Sequence, residues 1–361
     1  MLKRQTQSTA GTRKNQPSVA ISGGIRSGHR TRRNDRSLTF VVIGLVMVLA
    51  WPSFGLAKSK LFRIGTGGQT GVYYPIGKLI ARGLTGTGHQ GVPGYIGVAQ
   101  NSAGSVENVR TVASGKTEAG LVQADVAAWA HRGKQVFSGE KSAGVVRAVA
   151  SLYPEKLQIV IRQDAGVRRF EDLRGKRISI DEIGSGTLAV MRIVLKAHGM
   201  TEKNLQPVYL KPVFTHDKIV SGALQGFVMM AGHPMEAVTQ LADTGIMIVP
   251  IQHQVALNIG KQYPYLVPGE IPGGVYAGVP GTPTIQVHAL LVVSAALDDK
   301  LAYQIAAALW SERTLNLLKT GHPQGKAIVP GTALKGISIP LHPGAERFYR
   351  ENGMLPEAPG Q

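Results

Sequence analysis

The chain has 361 residues, 43% hydrophobic and 17% charged, with 40 Lys+Arg against 22 Asp+Glu and a formal charge of +18. The length suggests about two domains, and the apolar fraction excludes a largely disordered chain. Cys is absent, which excludes disulfides, thiolate metal sites, Cys nucleophiles and a lipid-modified Cys.

Residues 1–57 hold nine Lys/Arg and a single acid, Asp35, and residues 37–57 carry no charge. An apolar run over 38–49 is followed by the breaker Pro52 and by Gly55-Leu56-Ala57, with small residues where a signal peptidase reads. Basic, apolar, small is the order of a signal peptide, here cleaved after Ala57. An uncleaved anchor is the alternative, since an uncharged stretch of this length just suffices to span a bilayer, which needs about 20 residues. Both readings put the body outside the cytoplasm, so nucleic acid is not an expected partner despite the charge.

After this leader, residues 61–64 predict a strand that runs into the Gly-rich loop 65–71 and a helix with Pro75 in its first turn. A strand follows at 95–99, then a helix carrying Val106, Val109 and Ala113 on one face, then a strand at 120–122. The pattern restarts with strands at 157–161 and 177–180, the loop Gly184-Ser185-Gly186-Thr187, and a helix with Val190, Ile193, Val194 and Ala197 at helical spacing. The Pro/Gly-rich stretch 263–283 predicts a return linker, 290–293 a strand, and 301–318 and 347–352 helices. Strands alternating with helices predict an α/β fold with a mainly parallel sheet, in two lobes with a cleft between them.

The first Gly-rich loop, Gly65-x-Gly67-Gly68-x-x-Gly71, is one residue off a dinucleotide fingerprint. It also lacks the acid that fingerprint needs about 20 residues on, because no Asp or Glu occurs between Asp35 and Glu107. What remains is a helix start whose N–H groups favour an anion, or a tight turn with no ligand. Gly184-Ser185-Gly186-Thr187 offers a second helix start with two hydroxyls, either for a carboxylate or for simple capping. Ile183 stands where a nucleophile elbow needs Gly, so Ser185 does not read as a nucleophile. The ten His form no metal spacing and no carboxylate pair has an evident acid/base role, so the pattern is that of a binder, with no cofactor and no catalyst.

Taken together, several short motifs resemble the solute receptors of tripartite ATP-independent periplasmic (TRAP) transporters, in their TAXI branch. They are Ile-Gly-Thr-Gly-Gly-Gln-Thr-Gly-Val-Tyr-Tyr-Pro at 64–75, Asn-Ser-Ala-Gly-Ser-Val-Glu-Asn at 101–108, Gln-Ala-Asp at 123–125 and Leu-Tyr-Pro-Glu at 152–155. Asp-Leu-Arg-Gly-Lys at 172–176, Gly-Ser-Gly-Thr at 184–187, Ile-Pro-Gly-Gly-Val-Tyr at 271–276 and Ile-Pro-Leu-His-Pro-Gly-Ala at 339–345 continue the series in family order.

The resemblance implies a type II periplasmic binding protein: two α/β lobes, hinge strands between them and a ligand cleft. Lobe I would comprise 58–153 plus 265–361, and lobe II 154–264. It implies a periplasmic receptor, not an enzyme, that captures a small carboxylate, such as the amino acid glutamate, for the membrane subunits of a TRAP transporter. A ligand sensor for a signalling partner is the alternative, and an enzyme on the same fold is disfavoured. Carried over by position, Thr66, Gly67, Tyr73 and Tyr74 would line the first lobe's side, with Asn101, Ser105 and Asn108 on the next loop. Gln123 and Asp125 would follow the third strand, Asp125 either pairing with an ammonium group or capping a helix. Ser185, Gly186 and Thr187 would take the carboxylate, the Thr187 hydroxyl among its donors. His233 departs from the family pattern in the second lobe's wall and would influence ligand choice.

Overall fold

A computed structural model of the protein describes residues 59–140 and 145–356. The expected leader over 1–57 lies outside them. Among the described residues, no helix is long and apolar enough to cross a membrane.

The chain enters through β1 (Lys60–Gly65), α1 (Tyr73–Leu84), β2 (Tyr95–Gln100), α2 (Ser105–Ala113), β3 (Ala119–Gln123) and α3 (Ala124–His131). β2 and β3 flank β1, both parallel to it. Then comes the 17-residue strand β4 (Val146–Arg162). The second group is β5 (Arg177–Ser179), α4 (Gly186–Ala197), β6 (Gln206–Val208), α5 (His216–Val220), β7 (Gly226–Ala231), α6 (Glu236–Thr239), β8 (Ile246–Ile248) and α7 (His253–Gln262). β9 (Val267–Ile271) and β10 (Thr282–Ser294) lead back to α8 (Asp299–Leu309), α9 (Glu312–Gly321) and α10 (Pro343–Glu351).

The strands form one sheet in the order β2-β1-β3-β10-β4-β7-β5-β6, with β8 on β4 and β9 on β10. β1 to β3 build the first lobe's sheet and β5 to β7 the second's. The antiparallel pair β4 and β10 belongs to both. At the passage between lobes Tyr153 stands opposite Ala289 and Pro154 opposite His288, and the register slips between Ala289 and Leu290. Pro154 donates no ladder bond, which suits this irregular point. The stretch 263–283 holds β9, paired with the first half of β10, and β10 itself runs back into the first lobe.

Both faces of the sheet are covered, as a mixed sheet with helical crossovers requires. Alternation along the strands sends Val160, Ala289, Leu291 and Val293 to one face, where Ile76, Ile80, Ile305, Leu309 and Tyr349 pack on them. Leu157, Ile159, Ile161, Leu290 and Val292 go to the other, beneath Val109, Val126, Val190, Val194 and Ile259. α1 shows how the sequence builds such a layer: Ile76, Leu79, Ile80 and Leu84 recur at helical spacing and are buried, while Lys78 and Arg82 face solvent.

Candidate functional site

Parallel strands deliver the helix starts that follow them to one end of each lobe's sheet, and these ends face each other across the cleft. A cavity there is lined by Gly71, Val72 and Tyr73 at the start of α1, by Ala103, Gly104 and Ser105 at the start of α2, and by Ser185, Gly186 and Thr187 at the start of α4. The first amides of a helix have no acceptor within it, and the peptide dipoles make that end electropositive. Three such ends on one cavity favour an anion. Gly67, Gly68, Gln123, Glu155, Asp181, Lys211, Met229 and Met230 complete the wall. The cavity is small, about 30 Å³, room for one or two waters.

Main-chain groups hold the lobes together over it. The Glu107 N–H donates to the Gly184 carbonyl at 3.1 Å, and the Ala237 N–H to the Thr70 carbonyl at 3.2 Å.

The structure brings Gly67, Tyr73, Ser105, Gln123, Ser185, Gly186 and Thr187 together on this cavity. Several of their side chains are already engaged. Ser185 Oγ accepts from the Leu188 N–H at 3.0 Å and caps α4. Thr187 Oγ1 accepts from the Met230 N–H at 3.1 Å, so that hydroxyl ties α4 to β7. Ser105 Oγ accepts from the Gln123 N–H at 3.1 Å. For a ligand anion at α4, the main-chain N–H groups of Gly186 and Thr187 are the principal donors.

The remaining candidates stand elsewhere. Thr66 is buried behind the loop, its hydroxyl donating to the Gln100 carbonyl at 2.7 Å. Asn108 donates to the carbonyls of Thr66 and Leu121, each at 2.7 Å, and so fixes the loop from below. Asn101 is exposed at the end of β2. Tyr74 lies in an outer groove with Lys78, Pro234 and His322. Asp125 borders a separate cavity of about 260 Å³ beside Trp129, Tyr263 and Tyr265. Burial pushes its carboxyl up to about 7. His233 faces Lys156, with Nε2 3.0 Å from Nζ. Burial, then the Lys156 charge, pushes its ring down to about 4, so the neutral imidazole accepts from the ammonium.

Two acids on the cavity were not singled out in the sequence. Glu155 lies on β4, 1% exposed, and its Oε2 accepts from the Tyr73 hydroxyl at 2.7 Å. Burial holds its carboxyl well above the usual carboxylate range, and the Asp125 charge adds to the rise. Asp181, 3% exposed, sits just past β5 in a left-handed conformation (φ 67°), and its Oδ1 accepts from the Glu182 N–H at 2.9 Å. Burial pushes it up to about 7 against the lowering effect of hydrogen bonds from Glu182, Thr187 and Ser185. Signals for both were present. Glu155 is the only acid in β4, and Asp181 follows the carboxyl end of a parallel strand, where α/β folds bind ligands. Among the described residues, no group of three His, Asp or Glu is placed to hold a metal ion.

Several solved structures are similar in outline. The alkanesulfonate-binding protein SsuA of Xanthomonas axonopodis pv. citri, bound to MOPS, is 14% identical, covering 82% of this chain and 94% of its own, with a TM-score of 0.43. A protein of Bordetella bronchiseptica RB50 is 15% identical over 83% of this chain and 86% of its own, with a TM-score of 0.48. The periplasmic aliphatic sulphonate binding protein SsuA of Escherichia coli is 13% identical over 73% and 80%, with a TM-score of 0.40. At the level of sequence, the model of the NMT1-like family matches residues 64–353, most of the chain and both lobes. This chain belongs to the NMT1-like family.

Proposed function

We propose that the protein is a solute-binding receptor of a membrane import system, and that its cleft captures a small carboxylate. The observation that carries this reading is the convergence of three helix starts on one inter-lobe cavity. Each N–H donated to a carboxylate oxygen there is a charge-assisted hydrogen bond, worth roughly 1.5–3 kcal/mol. Two or three of these, with burial of the ligand, suffice for micromolar affinity, about −8 kcal/mol. The long strands β4 and β10 join the lobes and suit a hinge that opens and recloses the cavity. In its finer form the receptor works in the periplasm and hands its ligand to the membrane subunits of a TRAP-type transporter, as the motifs from 64–75 to 339–345 suggest.

Titration calorimetry with amino acids, dicarboxylates, keto acids and short alkanesulfonates tests the reading. The expected result is micromolar or tighter binding of at least one carboxylate. A screen in which only sulfonates bind, or nothing binds, overturns it.

A further inference from the structure

At about 30 Å³ the inter-lobe cavity has no room for a solute, since binding pockets run to about 300–1,000 Å³. Part of its wall must therefore move to admit cargo, and most of the wall is already fastened. Tyr73 donates to Glu155 at 2.7 Å, Lys211 pairs with Glu182 at 3.0 Å, and the Ser185 and Thr187 hydroxyls serve the second loop. Gln123 is wedged against Gly186, where a Cβ would stand 2.6 Å from it.

Met229 is held differently. It lies on β7 in the second lobe, half-buried in the cavity wall. Its Cε reaches across to the first lobe, 3.4 Å from where a Cβ on Gly71 would stand. Its Sδ accepts from the Thr187 hydroxyl at 3.5 Å, and a thioether is a weak acceptor. An unbranched side chain with three rotatable bonds thus bridges the loop before α1 and the start of α4, held by one weak bond. Val72, Ala103, Pro212, Met230 and Ala231 line the same cavity, so an apolar group that took the place of the thioether would find apolar neighbours.

A second carboxylate finds no such welcome. Among the described residues, Lys211 is the one Lys or Arg in this wall, and it is paired, while Glu155 and Asp181 are buried in the same wall. A further negative group there lacks a free cation to offset its desolvation.

We propose that Met229 is a displaceable plug that sets the size of the cargo, and that the cargo is a monocarboxylate with a short apolar chain. The inference rests on the carboxylate reading above: main-chain N–H groups hold the carboxylate, and residue 229 measures what is attached to it. When the lobes close on the ligand, its chain takes the space of the thioether. The exchange replaces one apolar group by another and gives up only the weak bond from Thr187.

The test titrates straight-chain monocarboxylates from acetate to octanoate, with succinate, glutarate and adipate, into the wild type, Met229→Ala and Met229→Leu by calorimetry. In the wild type, affinity should rise about threefold to fourfold per methylene up to one chain length and fall beyond it. Each dicarboxylate should bind roughly tenfold weaker than the monocarboxylate of equal length. Met229→Ala, which removes Cγ, Sδ and Cε, should move the maximum about two or three carbons longer, whereas Met229→Leu, a volume-conserving exchange, should leave it within about one carbon. Melting curves establish that the variants fold, and the dicarboxylate comparison needs the wild type alone. A dicarboxylate that binds as well as its monocarboxylate, a maximum that Met229→Ala leaves in place or Met229→Leu moves as far, or binding confined to the amino and keto acids of the screen overturns the inference while the carboxylate reading stands. If no carboxylate binds, both fall.

Discussion

The two Gly-rich loops that face each other across the cleft look alike in sequence, yet they are built in opposite ways. The first-lobe loop reaches α1 through Val72, and no side chain caps that helix. It is held from outside itself, by Asn108 and Ser102 gripping the Thr66 carbonyl. The second-lobe loop holds itself: Ser185 caps α4, Thr187 secures β7, and both hydroxyls lie against Asp181. The comparison teaches that a hydroxyl at a helix start can serve its own loop first, and that on the proposed reading both loops would meet an anion mainly through main-chain N–H groups.

The sharpest way to break this comparison is to add a side chain to each loop. A Cβ on Gly186 would stand 2.6 Å from the Gln123 side chain, whereas one on Gly67 would meet Tyr73 Cβ at an ordinary 3.5 Å. Gly186→Val must displace the Gln123 side chain, which also lines the cavity, and overpacking of this kind costs about 1–3 kcal/mol. Affinity should fall by roughly tenfold to a hundredfold, against less than about threefold for Gly67→Ala. Calorimetry on the two variants with whichever carboxylate the screen identifies reads the difference, and equal losses would erase the asymmetry.

A second comparison concerns two buried acids, Asp125 at the start of α3 and Asp181 beside the second loop. Asp125 and Asp181 both titrate near 7 in the folded protein, raised from an ordinary 3.8. Between those limits the folded state holds protons that the unfolded chain has lost, so stability falls as pH rises from about 4 to about 7 and levels off above. Neither Asp125 oxygen has a hydrogen-bond partner in good geometry, while Asp181 accepts from its neighbours. Asp125→Asn should therefore stabilise the protein at pH 8 by about 1–3 kcal/mol and flatten the slope, and Asp181→Asn should do so less. Urea midpoints at pH 5 and pH 8 decide this, and a wild type more stable at pH 8 would contradict it.

The smallest expected effect separates the two hydroxyls. Thr187→Val leaves the Met230 N–H buried without an acceptor and should cost about 1–3 kcal/mol of stability without ligand. Ser185→Ala removes a cap and should cost about 1 kcal/mol. Affinity should change less than about fivefold in either, since main-chain donors remain. A larger loss of affinity in Thr187→Val, with normal stability, would return its hydroxyl to the ligand.

Much of this architecture was legible because local pattern and tertiary role agree. Alternating strands and amphipathic helices placed β1 to β3 and α1, α2 and α4 within a few residues. β4 was read as 157–161 because Ser151, Pro154 and Glu155 break its apolar run, and only pairing with β10 and β7 carries it through from Val146 to Arg162. The same interruption hid the site. Glu155 stands in the Leu-Tyr-Pro-Glu motif, yet nothing in the sequence marks it as a binding residue, because burial without a cation is a three-dimensional fact. Conversely, Thr66 and Asn108 carry the polar groups expected of a binding loop, and only their partners reveal that they brace it.

The contacts across the cleft have a consequence of another kind. Two of them are amide-to-carbonyl bonds, from Glu107 to Gly184 and from Ala237 to Thr70, beside side-chain bonds such as that from the His233 N–H to Gln324 Oε1. Every coded residue but proline supplies the same two groups, so these two bonds are indifferent to the identity of the side chains around them. Exchanging pocket residues for others would leave these two main-chain bonds intact. Recognition and fastening are therefore free to drift apart over evolutionary time, and a lineage built on this frame can diversify what it carries while inheriting one way of shutting.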